Sequence, residues 1–145
     1  MKNLLMTLAF AIATLPVFAN EPEVNQKALD AFRMEFSGAS NVKWTISTDY
    51  FMASFIYNDK HVSAYYDIDG NWIGTTRFVA LADLPLMLQG EVKNKFSTYW
   101  ITELIEVANN EGTAYYATVE NADTKLVLKA SDSKTWNHYK KYKKS

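Results

Sequence analysis

Phe51-Met52-Ala53-Ser54-Phe55 and Tyr115-Tyr116-Ala117-Thr118-Val119 lie 64 residues apart. The same offset carries Asp59 onto Asp123, Val62 onto Leu126, Trp72 onto Trp136 and Phe78 onto Tyr142. Ala53, Asp59 and Trp72 meet identical residues, and elsewhere the type and parity of the apolar positions are kept. A chain patterned twice in this way is expected to use one supersecondary unit twice. The pattern constrains architecture and names no reaction.

Each unit opens on a helical stripe. Ala28, Leu29, Phe32 and Phe36 recur at spacings of three and four, with Pro22 and its flanking glutamates at the start and Gly38 at the stop. In the second unit Leu84, Leu88, Val92 and Phe96 mark the stripe, and Asp83 is the expected N-cap. Gly90 lies inside that helix at a cost of about 1 kcal/mol relative to Ala, which close packing would explain.

Strands follow each helix. Val42, Trp44 and Ile46 alternate with polar residues. A two-residue turn at Asn58-Asp59 sets Phe55 opposite Val62, Ala53 opposite Ala64 and Phe51 opposite Tyr66 on one side. Ile56 then faces His61, Ser54 faces Ser63 and Met52 faces Tyr65 on the other. A turn at Ala122-Asp123 sets Val119 opposite Leu126, Ala117 opposite Leu128 and Tyr115 opposite Ala130, with Glu120 facing Lys125 on the reverse side. A slip of one residue would bury Lys125 and Glu120, so the register is specified. A last strand runs from Trp72 to Phe78 and from Trp136 to Tyr142. The expected class is α+β, a tandem repeat of a helix plus an antiparallel meander of about four strands, with repeat 1 over 20–80 and repeat 2 over 81–145.

Lys2, the apolar run from Leu4 to Leu15, Pro16, and Val17 and Ala19 at the −3 and −1 positions predict a signal peptide over 1–19. That run is shorter than the roughly 20 residues that span a bilayer. The chain over 20–145 is therefore expected in the periplasm or secreted, with no membrane insertion. It contains no cysteine. Exported units of about 60 residues without disulfides barely offset chain entropy, so the two halves must support each other. Without Lys2, 14 basic residues stand against 16 acidic ones. That balance argues against a dedicated nucleic-acid binder. Lys140, Lys141, Lys143 and Lys144 are a local exception, expected as the solvated end of an edge strand.

Phe36-Ser37-Gly38-Ala39-Ser40-Asn41-Val42-Lys43-Trp44 and Val62-Ser63-Ala64-Tyr65-Tyr66-Asp67-Ile68-Asp69-Gly70-Asn71-Trp72 resemble the exported PepSY-like, beta-lactamase-inhibitor-like proteins of Bacteroidetes. Leu84-Pro85 resembles the start of that family's second helix. In the second half Ser131 to Lys134 stands where the first has Asp-x-Asp-Gly. The resemblance implies a tandem helix-plus-sheet fold whose sheet surface holds another protein. It implies no catalytic residues and no cofactor.

A calcium loop starting at Asp67 would need Gly at its sixth position and Glu at its twelfth, which are Trp72 and Phe78. His61 and His138 do not correspond under the offset and offer too few ligands for zinc. No nucleophile elbow, cysteine nucleophile or glycine-rich phosphate loop is present. Glu103 and Glu106, three apart on a strand, aim at opposite faces. No enzyme, metal or cofactor signature emerges.

The outward sheet face remains. Met52, Ile56 and Tyr65 fall there by register, with Tyr116 in the matching place of the second unit. Tyrosine and methionine are enriched at protein interfaces, so these four are the candidate partner-binding residues. The leading expectation is a non-enzymatic exported binding module. The alternative is a small-ligand binding protein or enzyme with a cavity between helix and sheet, lined by Phe32, Phe51 and Trp72.

Overall fold

Phe51, Ala53 and Phe55 are buried while Met52, Ser54 and Ile56 between them are half-buried. That two-residue period is the backbone of the architecture. The computed structural model describes residues 23–145, and the expected signal peptide over 1–19 lies outside the described residues. The elements are α1 (Gln26–Glu35), β1 (Ser40–Ile46), β2 (Tyr50–Tyr57), β3 (Lys60–Asp67) and β4 (Trp72–Phe78). A 3-10 turn (Leu81–Asp83) leads into α2 (Leu86–Lys95), followed by β5 (Trp100–Asn109), β6 (Gly112–Glu120), β7 (Thr124–Ala130) and β8 (Asn137–Lys143). Among the described residues no helix is long and apolar enough to cross a membrane.

The expected tandem repeat of a helix plus a four-stranded meander is corrected here. All eight strands form one antiparallel sheet in the order β1 to β8. The physical reason is the β4–β5 ladder: Thr75, Thr76, Arg77 and Phe78 pair with Ala108, Val107, Glu106 and Ile105. Each strand there satisfies the edge that a separate unit would leave open. Across that junction Arg77 donates two hydrogen bonds to Glu106, both at 2.9 Å.

Parity puts both helices on one face. Phe55, Val62, Arg77, Glu106, Tyr115 and Ala130 are successive cross-strand partners and share a side. At one end of the row Val62 packs with Ala28 and Phe32 of α1, and at the other Ala130 packs with Leu88 and Val92 of α2. The two cores share no buried residue, and the Arg77–Glu106 pair lies between them. Around α1 the rings of Phe32, Phe36, Trp44 and Phe55 pack with centroids 4.7–5.6 Å apart.

Both expected hairpin registers are observed, residue for residue. Asn58 and Asp59 have φ of 49° and 60°, the left-handed pair that a tight hairpin of matching twist requires. At the second hairpin the Asn121 side chain accepts from the Asp123 and Thr124 amides at 3.0 and 2.8 Å and shapes the turn instead. Helix starts differ from expectation. Asn25 caps α1, accepting from the Lys27 amide at 2.7 Å. The Asp83 carboxylate turns back to the Ala80 amide and to Lys60, each at 2.9 Å, so it closes the 3-10 turn and does not cap α2. Gly90 is no close-packing site, because a Cβ there would meet nothing within 4 Å.

Candidate functional site

The face opposite the helices is assembled by the same pairing rules. Ile56 sits opposite His61 on β3, and Phe78 opposite Ile105, which is opposite Tyr116, which is opposite Lys129. A second row sets Thr45, Met52, Tyr65 and Gly74 side by side across β1 to β4. Between them runs Ser54, Ser63, Thr76, Val107 and Ala114. An eight-stranded sheet with helices on one side only therefore presents a broad surface of mixed apolar and hydroxyl side chains.

Of the four expected residues, the structure brings Met52 and Tyr65 together as a direct cross-strand pair. Ile56 lies four residues along β2 from Met52, at the other end of the face. Tyr116 stands on β6, with β4 and β5 between it and β3, about 14 Å away at the usual strand spacing. Ile56 and Tyr116 belong to the same transverse row, so the four residues mark two rows of one surface and not one compact cluster.

Sequence reasoning missed the residues that bridge them: Phe78, Ile105 and Val107 in the middle, Tyr50 and Tyr139 at the flanks. Phe78 is 58% exposed. Tyr50 packs on Tyr65 with ring centroids 5.8 Å apart, and Tyr139 meets Tyr116 edge-on at 5.5 Å. Lys129 lies over both Tyr116 and Tyr139, at 5.6 and 5.9 Å from the centroids. Strand alternation could have found Phe78 and Ile105, but their adjacency depends on the β4–β5 register, which no turn sets.

The surface is shallowly dished. A depression of about 210 Å³ lies beside Gly74, between Tyr65, Ile73, Thr76 and Val107. Another of about 280 Å³ opens between Val107, Ala114, Tyr116 and Lys129. Both are open to solvent. On the helix side, the place expected for a ligand cavity is occupied: Phe32 and Phe51 are buried, and Trp72 donates its indole N–H to Thr75 Oγ1 at 2.9 Å.

The loop from Asp67 to Asn71 is a structural fastening. Asp67 Oδ1 accepts from the Asp69 and Asn71 amides at 3.0 and 2.8 Å, and these bonds, the Asn71 amide foremost, hold its carboxyl below the usual range. Gly70, with φ of 86°, lies against the first turn of α1, where a Cβ would come within 2.8 Å of Lys27 Cβ. His61 projects on the open face and His138 on the helix side beside Phe96, its ring 6.0 Å from that phenyl. Among the described residues no three His, Cys, Asp or Glu side chains are grouped to hold a metal.

No protein-family model matches the chain, and no curated protein matches it in sequence. Solved structures do match in shape. A BLIP-like protein of Bacteroides fragilis is 19% identical, with a TM-score of 0.75 over 85% of this chain and 89% of that one. A DUF2874 family protein of Bacteroides ovatus is 17% identical, with a TM-score of 0.72 over 83% and 88%. A protein of Bacteroides eggerthii described as a candidate periplasmic protein is 13% identical, with a TM-score of 0.71 over 83% and 89%. The chain shares the fold of these Bacteroides proteins.

Proposed function

We propose that this chain is an exported, non-enzymatic binding module that recognises a protein partner on the uncovered face of its sheet. Met52, Ile56, Tyr65 and Tyr116 are its contact residues. The observation that carries the reading is the asymmetry of the sheet. Both helices cover one side, while the other presents tyrosines, methionine and aliphatic side chains interspersed with serine and threonine. A surface of that composition, open and only shallowly dished, matches a macromolecular partner better than an enclosed small molecule. The likeness to a BLIP-like protein supports a partner-binding role, as does the resemblance of Phe36 to Trp44 and Val62 to Trp72 to PepSY-like, inhibitor-like proteins. We place the mature chain in the periplasm or outside the cell on the signal-like pattern of 1–19 and the description of the B. eggerthii protein.

Photo-crosslinking tests this. A photoreactive phenylalanine in place of Tyr65 or Tyr116 should trap one and the same protein in envelope extracts. The same group in place of Met34 or Leu86, which are exposed on the two helices, should not. Trapping from the helices alone would refute the assignment of the face. A small molecule retained in native mass spectrometry, with nothing trapped, would favour a ligand-binding protein instead.

A further inference from the structure

The edge of the sheet is a second surface, independent of the face just described. All seven residues of β8 are exposed, and among the described residues β7 is its single neighbour in the sheet. Such an edge carries backbone N–H and C=O groups that have no ladder partner. This one is also hydrogen-bonded to its end. After a bulge at Tyr139, Lys140, Lys141, Tyr142 and Lys143 pair in unbroken register with Val127, Leu126, Lys125 and Thr124. The Lys144 amide then donates to the Asp123 carbonyl at 2.8 Å, and its ammonium reaches the Asn121 carbonyl at 2.9 Å and Glu120 at 3.2 Å.

The charge on this edge is concentrated and uncompensated. Lys140 projects on the open face beside Val127, while Lys141 and Lys143 project on the helix side beside Leu126 and Thr124. Among the described residues none of Lys140, Lys141 or Lys143 makes an ion pair. The last nine residues hold four lysines and no acid, leaving 11 basic against 16 acidic residues in the rest of the chain. Cations on an edge keep two like edges apart. The same cations favour an incoming strand that carries carboxylates opposite them, since opposite charges across a strand pair attract. Because these lysines project on both sides of the strand, the matching segment carries acids at consecutive positions.

We infer that β8 is a docking edge for an extended acidic segment of another polypeptide, which adds to the sheet as a further antiparallel strand. The probe is a labelled octapeptide of Glu, Thr and Val, titrated by fluorescence anisotropy into the chain expressed from Asn20. Its Gln counterpart, and the triple variant Lys140→Gln/Lys141→Gln/Lys143→Gln, should each bind about tenfold or more weakly, the sum of several cross-strand charge pairs. Methylating alternate amides of the acidic peptide, on the side facing β8, should abolish binding. Met52→Ser/Tyr65→Ser should bind the acidic peptide as wild type does, which separates this edge from the sheet face. Equal binding of the Gln peptide, or of the methylated one, overturns the proposal. So does oligothymidine binding more tightly than the peptide, or self-association of the chain that the peptide does not reverse.

Discussion

Two glycines with opposite environments test the account at the scale of single residues. Gly70 holds a left-handed φ of 86° with α1 against it. Gly70→Ala should therefore lose about 2 kcal/mol or more in urea denaturation, from backbone strain and steric overlap together. Gly90 is helical and faces open space, so Gly90→Ala should gain about 0.5–1 kcal/mol. Unchanged stability in both would mean that the helix-to-loop fastening is misplaced. The helical position of Gly90 was legible in the sequence, but its open surroundings and the role of Gly70 were not. Asp67-Ile68-Asp69-Gly70-Asn71 reads as a turn, but its contact is with Lys27 of α1, 43 residues away in sequence.

Charge acts at this scale too. The Asn71 amide at Asp67, Lys60 at Asp83 and the Lys134 amide at Asp132 hold these carboxyls below their usual range. Burial works against the charge of Glu91, but Lys95 and the Trp136 amide outweigh it and lower its pKa as well. Groups depressed in this way add stability above their unfolded pKa and lose it as pH falls through the folded value. Stability should be level from neutral pH to about 5 and decline below about 4.5, near the ordinary carboxylate range. Burial, with Glu35 nearby, pushes the Tyr66 phenol up to about 12. Its contribution is present below the unfolded pKa of 10 and is lost as pH rises between there and 12. Denaturation midpoints that rise on acidification below pH 4.5 would contradict the carboxylate assignments.

At the scale of elements, the indole of Trp136, the residue just before β8, fastens the start of that strand to α2. It is 4% exposed and donates to the Leu88 carbonyl at 2.9 Å. Trp136→Ala should cost about 3–5 kcal/mol, the range for truncating a large buried aromatic. Trp72, its partner under the 64-residue offset, is only half-buried and bonds locally to Thr75. Trp72→Ala should cost visibly less, and equal losses would show that the two indoles are equivalent after all. The hairpins β2–β3 and β6–β7 were readable because side-chain alternation and a short turn together leave one register. The helix stripes Ala28/Phe32 and Leu88/Val92 were readable for the same kind of reason, a period that selects one face. The β4–β5 pairing was not. Its strands are joined through a whole helix, and of its four cross-strand pairs only Phe78–Ile105 is apolar on both sides, so no apolar pattern announces it.

At the scale of the molecule, that unreadable junction decides the architecture. It turns what the sequence presents as two units into one sheet, and it aligns both halves of the open face. The inner core of residues 23–80 rests on eight buried residues, three of them alanines. A fragment of residues 20–80 would bury little, carry no disulfide and expose the β4 edge. It should be poorly structured, and a cooperative melt from that fragment alone would contradict the mutual dependence of the halves. The candidate site was legible in part. Alternation put Met52, Ile56, Tyr65 and Tyr116 on one surface, while Phe78, Ile105 and Val107, which connect them, depend on the junction.

The most direct measurement joins stability and binding in one variant. Met52→Ser/Tyr65→Ser removes an apolar cross-strand pair from the open face and leaves Phe51 and Phe55, on the helix side of the same strand, in place. The change in unfolding free energy should be less than about 1 kcal/mol, as for surface positions. The partner trapped from Tyr116 should be lost, because a few such anchors dominate an interface. Phe51→Ser/Phe55→Ser should unfold the protein. A Met52→Ser/Tyr65→Ser variant that melts far below wild type, or that folds and holds the partner as well as wild type does, would contradict the claim that this face is the binding surface.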